Sequence, residues 1–300
     1  MHDQAVAFAT PPDAARWQRW LLFSPAARIV IFVLLFAALG FGTSALLHGL
    51  GWDGKTAPAD LRALVRLLAT VIPILLAYLL LVRIVERRPV SELAPRTLLP
   101  QGVIGVLGGL LLFSAVVGVL HVLGSYRVTG FNPDAAWLPA LLVVGLGAGI
   151  GEEILFRGVL FRIVEEGLGT WWALAISALF FGAVHLGNPG ATLWSSAAIA
   201  IEAGLLFGLL YHVTRSLPIC MGLHASWNFA QGTIYGIPVS GTTADGWLVS
   251  TRSGPDWLSG GVFGAEASVI ALSLCTICTI GLLVVARRRG SIVRPAWRRR

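Results

Sequence analysis

Long apolar runs, separated by short segments rich in Pro, Gly and Arg, set the pattern of this chain. Eight of them reach or approach the roughly 20 residues that a helix needs to cross a hydrocarbon core. They cover 28–47, 64–85, 102–123, 137–164, 171–186, 193–213, 217–236 and 267–286, the fifth being short. Pro89, Pro95, Pro100, Pro189 and Pro218 punctuate the connections. The pattern predicts an all-α, polytopic membrane bundle of about eight transmembrane helices, with no internal repeat and no soluble domain. A polar-to-mixed segment at 1–26 precedes the membrane domain at 27–286, and a basic tail at 287–300 follows it. The first segment lacks the charged, apolar, small-residue order of a cleavable signal peptide, so the first span is expected to act as the insertion signal.

Composition agrees with the pattern. The chain is 56% hydrophobic and 12% charged, against about 25% charged in an ordinary soluble domain. A chain of 300 residues cannot hide that much apolar surface in water, so the expected place is the cell (inner or cytoplasmic) membrane, as a multi-pass protein in contact with lipid.

The net charge of +7 raises the question of nucleic acid, and its distribution answers it. Seven of the 22 basic residues fall in 287–300, and most others flank apolar runs. That is how cytoplasmic flanks meet anionic lipid, so no nucleic-acid partner is expected. With the N-terminus inside, the inner segments carry seventeen basic residues and the outer segments five: Lys55, Arg62, Arg66, Arg127 and Arg252. The positive-inside rule then gives an N-in, C-in topology. The longest outer loop, 237–266, carries Trp247 and Trp257 and reads as an interfacial loop with aromatic anchors. Cys220, Cys275 and Cys278 lie in apolar runs without polar companions and read as packing residues.

Ionisable side chains inside spans cost about 2.5–3.5 kcal/mol each on insertion scales, so each asks for a reason. The fourth span holds GIGEEILFRG, with Glu152, Glu153 and Arg157. Adjacent helical residues point about 100° apart, so the two glutamates do different work. Glu153 and Arg157 have the favourable i,i+4 order for an ion pair, which leaves Glu152 for chemistry. The fifth span carries FFGAVH, with Phe181 and His185 on one face, and the seventh HASWN, with His224 and Asn228 on one face. Counted from the inner span ends at 1.5 Å per residue, Glu152, His185, His224 and Asn228 lie at roughly 18, 21, 10 and 16 Å. Polar groups from three helices thus converge near mid-membrane, around what is expected to be an inward-opening cavity.

A carboxylate and an imidazole beside one water can generate a nucleophile, and a second imidazole and a carboxamide can donate to an oxyanion. Those roles make an acyl hydrolase, such as a peptidase. Glu152, His185 and His224 could equally ligate a divalent metal such as zinc with one open position, and at this level the choice stays open. Glu202 in the sixth span faces the cavity or pairs with a neighbouring helix. His48, His121 and His212 lie near span ends, where an imidazole meets water at little cost, and Phe181 reads as a packing wall beside His185.

EEILFR, FFGAVH and HASWN, in this order and on these spans, resemble the motifs of the CPBP family, the CAAX-protease and bacteriocin-processing intramembrane endopeptidases also called the Abi family. The resemblance covers about 142–232. It implies an intramembrane protease of type II CAAX prenyl protease kind, with Glu152 and His185 activating water, His224 and Asn228 stabilising the oxyanion, and Glu153 and Arg157 in support. It leaves open a metallo- or glutamate-type mechanism, and whether the protein or peptide substrate is lipidated. Two other classes compete: a non-catalytic membrane binding or immunity factor using the same polar cavity, and a proton-relaying transporter. Against the transporter stands the lack of paired broken helices or duplicated halves.

Overall fold

The computed structural model describes residues 7–52, 54 and 56–299; Lys55 of the outer set, Arg300 of the basic tail and residues 1–6 lie outside them. Six helices long and apolar enough to cross a bilayer come first: α1 (Pro25–Gly49), α2 (Ala59–Val85), α3 (Pro95–Val122), α4 (Trp137–Leu168), α5 (Thr170–Gly187) and α6 (Leu193–Thr214). Helix α7 follows, as an α-helix over Leu217–Phe229 that continues through π turns over Ala230–Ile234. The last is α8 (Val269–Arg288), the seventh to meet the same length and hydropathy criteria. Helix α7 does not meet them because it carries His224, Ser226, Asn228, Gln231 and Thr233, all buried. A helix enclosed by other helices has no lipid-facing surface to keep apolar.

The helices start where the sequence offers a cap. Ser24, Ser216 and Ser268 accept hydrogen bonds from the backbone N–H groups of Ala27, Ile219 and Ala271 at the first turns of α1, α7 and α8. Helix α3 begins earlier than the apolar run, with Pro95 in its first turn, where no N–H is needed. Bare glycine lets α3 and α7 touch backbone to backbone: a Cβ on Gly222 would lie 2.3 Å from the Gly102 carbonyl oxygen, and one on Gly105 would lie 2.2 Å from that of Ile219.

Both termini share one end of the bundle. There the Thr170 N–H donates to the Val293 carbonyl at 3.0 Å, Arg28 pairs with Glu166 at 2.7 Å, and Arg215 pairs with Glu165 at 2.5 Å. Arginines expected to be simple cytoplasmic flanks prove to be buried pairs here. Glu86 accepts from Arg28, Arg88 and Arg162 at 2.8, 2.7 and 3.0 Å. Glu92 takes Arg88 at 2.7 Å and the Tyr78 hydroxyl. Burial alone would raise the Glu92 carboxyl, but Arg88 and Arg162 outweigh it and hold it at about 2. His212 was expected to meet water at a span end. It is buried instead, with Nδ1 2.6 Å from Glu165 and Nε2 3.0 Å from the Ser291 hydroxyl.

The opposite end is closed by a folded cap. Strand β1 (Tyr126–Phe131) pairs antiparallel with β2 (Leu248–Arg252), with a register shift between Val128 and Gly130. The loop after α7 is more than an interfacial segment with aromatic anchors. It sends Ile237, Val239, Phe263, Ala265 and Glu266 into the bundle, and all are buried. Trp257 keeps its exposed position, while Trp247 packs edge-on against Phe229 with ring centroids 5.8 Å apart.

Candidate active site

Helix α4 changes pitch around its two glutamates. Its short α-helical stretch Ala148–Glu153 lies between π-helical turns at Leu141–Gly147 and Ile154–Phe161. Such turns widen the helix and re-aim the side chains around them, and they concentrate at functional sites. Gly149 lets α4 close onto α7, since a Cβ there would sit 2.9 Å from the Ala225 backbone nitrogen. Ala225 follows His224, so this contact sets both glutamates against that imidazole.

Glu153 points inward and is fully buried. Its Oε1 accepts from the Arg157 guanidinium at 2.9 Å, the expected i,i+4 pair, and stands 2.9 Å from His224 Nδ1. A carboxylate only accepts, so Nδ1 carries its proton and Nε2 is left facing the site. That nitrogen lies 4.0 Å from Glu152 Oε2. Both ring nitrogens of His224 therefore face acceptors, the arrangement an imidazolium satisfies. The sequence pairs Glu153 with Arg157 only; its hold on His224 is set by the approach of α4 to α7.

Glu152 Oε2 is buried and finds no hydrogen-bond partner among the described residues. A carboxylate oxygen and an imidazole nitrogen 4.0 Å apart are too far for a direct hydrogen bond and close enough to share one water. The rest of the Glu152 side chain is partly open, 32% exposed, along a groove between α2 and α4 walled by Thr70, Ile74, Gly151 and Leu155.

His185 ends α5 in a tight turn. Its Nδ1 donates to the Phe181 carbonyl at 2.7 Å, which leaves Nε2 as the free nitrogen. Phe181 is the packing wall expected of it. Its ring lies 4.9 Å from that of His185 and 6.2 Å from that of His224, while the Arg157 guanidinium stacks 4.6 Å from its centroid. Phe207 stacks on the other face of His224 at 5.3 Å. The two imidazoles share a chamber with Glu202, Ser240 and Glu266, so of the two readings for Glu202 the cavity-facing one holds. Glu266 was not singled out in the sequence. It stands just before α8, with the Ser240 N–H donating to it at 2.5 Å, and burial pushes its carboxyl up to about 7.

Asn228, one turn after His224, donates from Nδ2 to the Val144 carbonyl at 3.0 Å, tying α7 to the π-helical part of α4. One Nδ2 hydrogen remains uncommitted.

The structure thus brings Glu152, Glu153 and Arg157 to His224, and sets His185 beside His224 across Phe181. No hydrogen bond or ion pair joins Glu152 to His185 among the described residues. As a zinc site the set fits poorly. His185 opens into the chamber while Glu152 lines the groove, and no three His, Cys, Asp or Glu side chains among the described residues gather as a metal-binding group. Part of the chain matches a known family. Residues 134–230 match the Rce1-like family model, type II CAAX prenyl endopeptidase. The Rce1-like segment contains all three motifs, from Glu152 to Asn228, and leaves α1–α3 and α8 outside. It agrees with the family resemblance of those motifs over that segment. The chain matches no curated protein.

Proposed function

We propose that this protein is an intramembrane endopeptidase that hydrolyses peptide bonds with a water held between Glu152 and His224. One observation carries the reading: the buried, unpartnered Oε2 of Glu152 stands 4.0 Å from His224 Nε2, and Glu153 fixes the far side of that ring. Glu152 takes a proton from the water as its oxygen attacks the scissile carbonyl carbon. The carbonyl oxygen becomes an oxyanion, which accepts from His224 Nε2–H and from the free Nδ2 hydrogen of Asn228. Collapse of the tetrahedral intermediate breaks the C–N bond, and the proton held by Glu152 passes to the leaving amine. His185, with Nε2 open to the chamber, accepts the proton that the newly formed carboxylic acid then releases. This differs from the division of labour the family resemblance implies, because the water-sized gap faces His224 rather than His185. No step runs through a metal, so the mechanism is of glutamate type.

The test is turnover of a fluorogenic peptide library by the purified, detergent-solubilised protein. Glu152→Gln keeps the side-chain volume and is expected to lower kcat at least a hundredfold without shifting the thermal unfolding midpoint, and a chelator is expected to leave the wild-type rate as it was. Wild-type turnover by Glu152→Gln would refute the assignment and favour the non-catalytic binding or immunity reading.

A further inference from the structure

Two buried carboxyl groups, Glu202 and Glu266, take no part in the hydrolytic step, and neither forms an ion pair among the described residues. Both line the chamber of about 40 Å³ onto which His185 and His224 open. Glu202 stands near the middle of α6, and its Oε2 finds no hydrogen-bond partner among the described residues. A carboxyl that bonds to no neighbouring helix is no adhesive, and within a span it is too costly to serve packing alone. The Nε2 of His185, itself nine-tenths buried, faces the same space without a partner.

The fold brings both carboxyls to that imidazole. π-Helical turns over Ala200–Leu205 widen α6 around Glu202. Helix α6 lies hard against α5, the helix that ends in His185. A Cβ on Gly204 would stand 2.7 Å from Ala178 Cα, and one on Gly182 would stand 2.5 Å from the Ser196 carbonyl oxygen. Glu266 comes from the cap, where Ser240 turns its N–H toward the carboxyl through a left-handed backbone, φ 47°, that a side chain rarely adopts. The other charged groups near Glu266 are His224 on α7 and Arg252 on β2, and Arg252 donates to the Ser259 carbonyl at 3.1 Å. Ile199, Leu206 and Phe207 wall the chamber, which has room for about two or three waters.

Two carboxylates in one chamber without a paired cation do not both stay ionised, so at rest they hold one proton between them and have room for a second. The Glu266 carboxyl, raised to about 7 by burial, gains and loses a proton near neutral pH. Hydrolysis makes a proton that needs such a place. Of the two protons of the attacking water, one reaches the leaving amine through Glu152, and the other stays on the new carboxylic acid until His185 accepts it. We infer that Glu202 and Glu266 are the proton reservoir that empties His185. The imidazolium Nε2–H passes its proton to this pair, directly or through a chamber water, and the pair returns it through His185 to the departing amine, which leaves as an ammonium. Both water protons then end on the amine, the product acid leaves as a carboxylate, and the site is restored. The inference rests on the protease reading and adds two residues that act through His185.

The test uses the full-length, detergent-solubilised protein, a fluorogenic peptide, and the double variant Glu202→Gln/Glu266→Gln, which keeps both side-chain volumes and removes both proton sites. The reservoir acts after the peptide bond has broken. The variant is therefore expected to complete its first turnover at the wild-type rate, as a burst of one product per enzyme, and then to slow by about a hundredfold. Its kcat falls while kcat/KM is kept, and its unfolding midpoint is no lower than that of wild type. Steady-state turnover at the wild-type rate, or a first turnover as slow as the later ones, overturns the reservoir. Infrared titration reads the proton itself: wild type at pH 7 is expected to show a carboxylic-acid C=O band that the double variant lacks, and no difference between the two overturns the shared proton. If wild type shows the band but cleaves no peptide, the protease reading falls and takes the relay with it, while the proton pair stands.

Discussion

Replacing Glu153 by Gln tests the site at its most connected point. The wild-type carboxylate is fully buried, and its Oε1 serves the Arg157 guanidinium and His224 Nδ1, both at 2.9 Å. The amide keeps the volume and loses the charge. Stranding one member of a buried pair costs about 3–5 kcal/mol. Arg157 keeps the Ala203 carbonyl at 3.0 Å and its stacking on Phe181 and Phe207 at 4.6 and 5.0 Å, so the loss is expected at the lower end, about 3 kcal/mol. The catalytic effect is separate. The Gln oxygen can take the place of Oε1 and accept from both groups, but a neutral amide does not offset the charge of an imidazolium. The ring can then no longer be held as an imidazolium, and a charged oxyanion donor is lost, worth about 10²–10³ in rate. Turnover and thermal unfolding, measured side by side on the solubilised protein, should show both losses. The double variant Glu153→Gln/Arg157→Met removes the stranded cation and should regain most of the stability while staying slow. A Glu153→Gln protein that cleaves at the wild-type rate would show that Glu153 acts only as a structural partner of Arg157.

Two further outcomes follow from other parts of the fold. Gly222→Ala puts a Cβ 2.3 Å from the Gly102 carbonyl oxygen and 2.9 Å from the Val106 nitrogen, backbone atoms that cannot step aside; it should cost about 1–3 kcal/mol. Gly108→Ala meets only the Leu223 Cδ1 atom, at 3.7 Å, and should cost less, so equal shifts in unfolding midpoint would contradict the packing described. Glu266 tests the cap through pH. Its folded carboxyl is raised to about 7 from an ordinary 4.5, so between those values the folded protein holds a proton that the unfolded chain has released. Stability therefore falls as pH rises through that window, by about 3 kcal/mol in all. Glu266→Gln should remove the slope, making the variant more stable than wild type at pH 8 but not at pH 4; parallel stability profiles would rule this out.

Much of the architecture was legible along the chain, because a bilayer imposes a local rule: every spanning helix must be long, and apolar where it meets lipid. The runs and the i,i+4 pair of Glu153 and Arg157 are matters of near neighbours, which sequence spacing expresses directly. The three motifs marked where chemistry gathers, since buried ionisable groups are costly enough to need a function. Helix α7 marks the edge of that rule, being a crossing helix whose polar residues reflect its enclosure rather than its contact with lipid.

What the tertiary structure alone decided was direction and partnership. Whether Glu152 met one imidazole or the other depended on π turns in α4 and on the close approach at Gly149 and Ala225, neither visible in residue spacing. The arginines of the basic end looked like lipid-facing flanks until Glu86, Glu92, Glu165 and Glu166, carried in by distant segments, buried and paired them. That pairing ties together the end of the bundle where both termini lie. Side-chain type and position along one helix constrain what a residue is able to do; which neighbour it does it with is set by the packing of separate helices, a long-range property that no local pattern encodes.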